Sequence, residues 1–195
     1  MTENIYAPPQ ASLEVAASSE QRFYVVAPRK FWVLFVVTLG AYSFYWHYRN
    51  WKLFKLNVGA DLWPLPRSIF SIFFTHSLFR FVDEQLNERQ IYHVWNPSGL
   101  ATQWVWYSIL SNGFDRLSAR SLGSPVTDIL SMAFVPVMGW VLYRAQIAIN
   151  ASERDPDGSG NQDFTGVNVL WILLGVVIWI LVLIGLFVPE EVLRS

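Results

Sequence analysis

The chain has 195 residues with a net charge of −1, 53% hydrophobic and only 15% charged residues, against about 25% charged in soluble domains. A soluble domain this apolar would have to expose much of that surface, whereas a lipid-facing protein would not. The near-neutral charge gives no electrostatic case for nucleic acid, and the absence of Cys excludes thiol catalysis, disulfides and Cys-zinc sites.

Residues 1–21 are polar and small, with Pro8-Pro9, and read as a flexible N-terminal tail. No apolar run near residue 10 suggests a cleavable signal peptide. The rest, 22–195, reads as an all-α polytopic membrane domain of four or five membrane helices. They are expected at about 30–56, 67–88, 97–118, 125–149 and 166–188.

In the first of these, 31–48 carries no formal charge and is flanked by Arg29-Lys30 and by Arg49, Lys52 and Lys55. It passes through Tyr42, Tyr45, Trp46, Tyr48 and Trp51, an aromatic belt of the kind that sits where a helix meets headgroups. Gly59, Pro64 and Pro66 then break the helix. The second helix is short of charge-free length. Its uncharged part, 68–79, covers roughly 18 Å of a hydrocarbon core of about 30 Å. It is either a tilted span packed on the first helix or an interfacial helix. Asn96-Pro97 and Ser124-Pro125 are N-cap and first-turn signals for the third and fourth helices. Asp128 suits the first turn of the fourth, and Pro136 should kink it. A polar loop covers 151–165, and the uncharged stretch 167–188 is the strongest membrane span. Orientation does not follow from Lys and Arg, which divide evenly between the two sides with five spans and nearly so with four.

The stretch Thr38-Leu39-Gly40-Ala41-Tyr42-Ser43-Phe44-Tyr45-Trp46-His47-Tyr48 resembles a T-L-G-x-Y-x-x-Y-W-x-Y helix. That helix marks a group of small bacterial inner-membrane proteins catalogued as a domain of unknown function. Asn4–Pro9 is similar to an N-P-Y-x-x-P start, with Ile5 in place of the first Pro. The resemblance implies a bacterial inner (cytoplasmic) membrane location and carries no activity.

Two residue sets invite chemistry. His76, Arg80, Asp83 and Glu84 share a helix face, where ionisable groups at membrane depth would line a proton or solute path. The competing reading is local ion pairing, since Arg80 lies three and four residues before the two acids. Asp155, Asp157, Ser159 and Asp163 fall at positions 1, 3, 5 and 9 of a calcium loop, with Gly160 at 6. Position 12 is Gly166, so the bidentate ligand is missing and a polar turn explains the same residues. Gln103, Ser108, Ser111, Asn112 and Asp128 would line a polar path or bind helix to helix. His47, His76 and His93 have no local metal-ligand spacing, and no nucleotide, metalloprotease or hydrolase motif is present. No cofactor is called for. The expected role is a non-enzymatic accessory or scaffold contacting the lipid bilayer, another membrane protein or itself. The alternative is a small transporter or channel component. An intramembrane enzyme would have to bring Ser108 or Ser111 to His76.

Overall fold

The computed structural model describes residues 21–187, with side chains through 184, and is all-helical. The expected tail lies, apart from Gln21, outside the described residues, as does the last residue of the expected 167–188 span. The helices are α1 (Pro28–Val37), α2 (Tyr42–Val58), α3 (Pro64–Ile69), α4 (Ser71–Glu88), α5 (Pro97–Ser118), α6 (Val126–Ser152) and α7 (Gly166–Phe187). A single 3-10 turn, Ser159–Asn161, lies in the loop before α7.

The helix expected over 30–56 is two helices. Leu39 (φ 51°) and Gly40 (φ 83°) take left-handed backbone. The Gly40 and Leu39 N–H groups bond back to the Phe35 and Val36 carbonyls, which is the Schellman ending of a helix. The Thr38 hydroxyl donates to Leu34 O and accepts from Tyr42 N, so one side chain closes α1 and opens α2. The T-L-G segment is thus a hairpin turn. Beyond it, Tyr42, Trp46 and Trp51 are buried, Tyr48 is half-buried, and Phe44 and Tyr45 are exposed. Of the expected belt, Tyr42, Trp46 and Trp51 thus pack inward with Phe23, Phe54, Phe79 and Phe81. Burying a side chain of this size stabilises by about 1.5–3 kcal/mol, which explains why the pattern folds inward.

The helix expected over 67–88 is also divided, at Phe70. Gly59 ends α2 in the left-handed conformation, and the Asn96 side chain accepts from Gly99 N at 2.8 Å to start α5 behind Pro97. α6 runs unbroken through Pro136. α5 and α6 make the largest helix pair and are antiparallel: Ser118 donates to Asp128, and Phe114 stacks on Phe134.

α1, α2, α4, the start of α5 and the C-terminal half of α6 form a head. α7 touches it through α1. A Cβ on Gly139 would lie 2.8–3.0 Å from the Trp32 and Phe35 rings, and one on Gly175 would strike the Val37 carbonyl. These two glycines let α6 and α7 close on α1. The Trp179 indole donates to Val36 O at 3.0 Å and satisfies a carbonyl at the end of α1. Among the described residues only α6 and α7 are long and apolar enough to cross a membrane, fewer than the four or five expected.

The head is seated by an extended segment, 22–27, that no periodicity announced. Phe23, Tyr24, Val25, Val26 and Ala27 are all buried. Their backbone groups are satisfied by side chains: Tyr24 N by Asn50, Tyr24 O by Gln146, Val26 N and O by Asn150, Val25 O by Asn161. Glu153 Oε1 accepts from Arg22 N, Phe23 N and Gln85, and Oε2 accepts from Arg89. Its side chain is 5% exposed. Truncation would leave four donors without their acceptor, so Glu153→Ala is expected to cost about 3–5 kcal/mol in chemical denaturation of the purified protein. Gly158 has φ 67°, and a Cβ there would lie 2.5–2.6 Å from the Val26–Ala27 backbone. Gly158→Ala should therefore cost more than about 2 kcal/mol in the same measurement.

Candidate functional site

A cleft of about 760 Å³ opens where the N-terminal segment, α1, α2, the α4 end and the α6–α7 loop meet. Its wall carries Lys30, Arg49, Arg89 and Arg154 with Tyr24, Tyr45, Asn161, Thr165 and Asn168. Two acids, Glu153 and Asp155, also line it.

The acids are turned into scaffold. Glu153 is held as described above. Asp155 Oδ1 accepts from the Ser159 N–H and hydroxyl, both at 2.9 Å, and Oδ2 from Gly160 N at 2.8 Å. Burial acts to raise the Asp155 pKa, but these donors outweigh it and hold the carboxyl below its ordinary range. The cations are treated differently. Lys30 is 2% exposed, and its ammonium donates to two neutral oxygens, Asn161 Oδ1 and Asp163 O, both at 2.6 Å. Burial lowers its pKa, with the Asp163 charge working the other way. The Arg49 guanidinium lies 5.4 Å over the Tyr24 ring, and its Nε is buried with no hydrogen-bond partner. Only Arg89, of the four, is in an ion pair, with Glu153 at 3.2 Å. The cleft therefore presents positive charge and an aromatic wall.

Of the calcium-loop residues, Asp155 accepts from its own loop, Asp157 and Asp163 are exposed, and the Lys30 ammonium donates to the Asp163 carbonyl. Among the described residues no group of three or more His, Asp or Glu side chains gathers to hold a metal.

The set on α4 is local. Arg80 pairs with Glu84 at 3.5 Å, both side chains more than half exposed. Asp83 accepts from the Trp95 indole at 2.9 Å and from Asn87. His76 bonds the Thr102 hydroxyl at 3.2 Å on the surface. Together they line no cavity described here. Ser108 is buried with its hydroxyl unpartnered, and no hydrogen bond joins a serine to His76 among the described residues. Gln103 is exposed, and Asn112 bonds the Ser108 carbonyl of its own helix. Ser111 and Asp128 line a second cavity of about 540 Å³ under the α1–α2 turn, with Asp115, Ser118 and Ser131. Asp128 is held there by the Ser118 and Ser124 hydroxyls.

Sequence reasoning passed over Lys30 and Arg49, reading both as flanking charges of a span. The signal was the pairing of each with a neutral partner rather than an acid, which only tertiary structure reveals. His47, weighed above only for metal-ligand spacing, is fully buried beside Trp46 and Trp104. The Ser43 carbonyl keeps a proton on Nδ1, and Nε2 faces the Thr75 hydroxyl at 3.1 Å.

No protein-family model, no curated protein and no solved structure matches the chain.

Proposed function

We propose that the chain is a non-enzymatic integral membrane protein of the bacterial inner membrane, an accessory or scaffold that contacts lipid or a membrane partner. The observation that carries this is α7. It is apolar on every side and hardly buried. Leu170, Leu173, Val177 and Leu181 are all about half exposed or more, and α1 is the helix it packs against most. A helix like this is stable only against hydrocarbon or against other apolar helices.

Chain connectivity supports three crossings rather than four or five. α6 ends in the head, so if it crosses, its start at Val126 is on the far side. The chain must then cross between the head and Val126, and α5 is the helix that leads there. α5 can cross despite its polar residues because it is paired with α6 along its length. α1 and α2 go down and back, as a re-entrant hairpin whose turn backbone is satisfied by Thr38 and Trp179. With this path the charge asymmetry becomes clear. Of the Lys and Arg among the described residues, only Arg116 and Arg120 lie at the far end. The positive-inside rule then puts the head in the cytoplasm. The inner-membrane assignment is supported by the motif resemblance at Thr38–Tyr48. The transporter alternative has less support, because His76, Arg80, Asp83 and Glu84 pair locally on the surface.

The chain has no Cys, so single cysteines map the path cleanly. In intact cells a membrane-impermeant maleimide should label Leu122→Cys. It should label Leu56→Cys, Asn87→Cys and Asp157→Cys only after permeabilisation. Labelling of Leu122 and Asn87 from the same side would remove the α5 crossing.

A further inference from the structure

We propose that the cleft at the head binds a phosphate-bearing anion, with the headgroup of an anionic phospholipid as the source its position favours. The choice of lipid over a soluble phosphate ester rests on the membrane reading above; the choice of phosphate does not.

The argument is one of charge. The cleft's two carboxylates have their oxygens committed to scaffold donors. Three of its cations, Lys30, Arg49 and Arg154, have no ion pair among the described residues. Lys30 is almost fully buried with neutral acceptors, and the Arg49 Nε is buried with none. Desolvated cations are ordinarily compensated by anions. The two desolvated cations, Lys30 and Arg49, and the exposed Arg154 come from three separate elements, α1, α2 and the α6–α7 loop, and line one cavity large enough for a headgroup. Guanidinium forks and an ammonium are the donors that suit tetrahedral phosphate oxygens. Thr165 and Asn168 close the rim at the start of α7, whose dipole adds a positive end.

The position favours lipid. Immediately past the rim, α7 exposes Val167, Leu170 and Trp171. A molecule with its phosphate in the cleft has an apolar helix along which its acyl chains can lie. Basic pockets beside membrane helices on the cytoplasmic side bind anionic headgroups in this way.

The test is thermal unfolding of the purified full chain in neutral detergent, with dioctanoyl phosphatidylglycerol, dioctanoyl phosphatidylcholine or inorganic phosphate added. Phosphatidylglycerol should raise the midpoint saturably, by about 4 °C at ten times its Kd, and phosphatidylcholine should not. The double variant Arg49→Gln/Arg154→Gln should lose the rise. Arg154→Gln alone, an exposed change, should weaken it if the double variant does not fold. A rise with inorganic phosphate equal to that with phosphatidylglycerol supports the site with a soluble ester as its source. No rise with either anion, or an equal rise in the variants, overturns the proposal. Because the measurement is made in detergent, it stands apart from the cysteine map, and either result can fail without the other.

Discussion

Everything in the head depends on how one extended segment is allowed to be buried. Residues 22–27 lie in the core without a partner strand, and a buried backbone group left unpaired is costly. Side-chain amides take the place of the ladder. Asn50, Gln146, Asn150 and Asn161 supply donors and acceptors from α2, α6 and the following loop, and Glu153 supplies a carboxylate. The same groups pin α2 to α6, since Gln146 also accepts from the Trp46 indole. Buried polar networks of this type are valuable only when satisfied throughout. The cleft is a by-product of that arrangement. Glu153 is consumed in holding the segment and Asp155 in holding its own loop, and Lys30, Arg49 and Arg154 are left without an ion pair among the described residues.

The left-handed pair Leu39–Gly40 is the second constraint. It turns a run long enough to look like a span into two pieces, the first of which is ten residues. Ten residues cover about 15 Å, half of a hydrocarbon core. On the path proposed above, this single turn changes the parity of the chain's crossings, and with it the side on which most of the positive charge would gather.

Parts of this were legible from the residues. Asn96-Pro97 starts a helix because proline lacks the N–H that a first turn cannot use, and asparagine caps the next ones. Gly59 ends one because it accepts positive φ. The exposed ion pair of α4 follows from its spacing. Other parts were not legible. Leu39 takes a conformation that its side chain disfavours, held there by bonds from Thr38, Leu39 and Gly40 that appear only once the turn exists. The rings from Tyr42 to Trp51 have the composition of an interfacial belt and of an aromatic core alike, and packing decides between them. Segment 22–27 has no period, because its partners are scattered amides. The cleft's cations are separated by more than a hundred residues in sequence, between Lys30 and Arg154, and converge only through the head.

The partners of the buried segment have a consequence for the order of events during synthesis. Val26 finds its amide on Asn150, 124 residues later, and Val25 on Asn161, 136 residues later. The Val36 carbonyl meets Trp179 after 143. A segment made more than a hundred residues before its partners is therefore among the last to settle. Contacts of such long range are slow to form, and until α6 is made the aromatic hairpin has only its own turn to hold it. A nascent chain arrested before Gln146 would hold Tyr24, Val25 and Val26 with only Asn50 of their four amide partners made, a state in which chaperone contact is most needed.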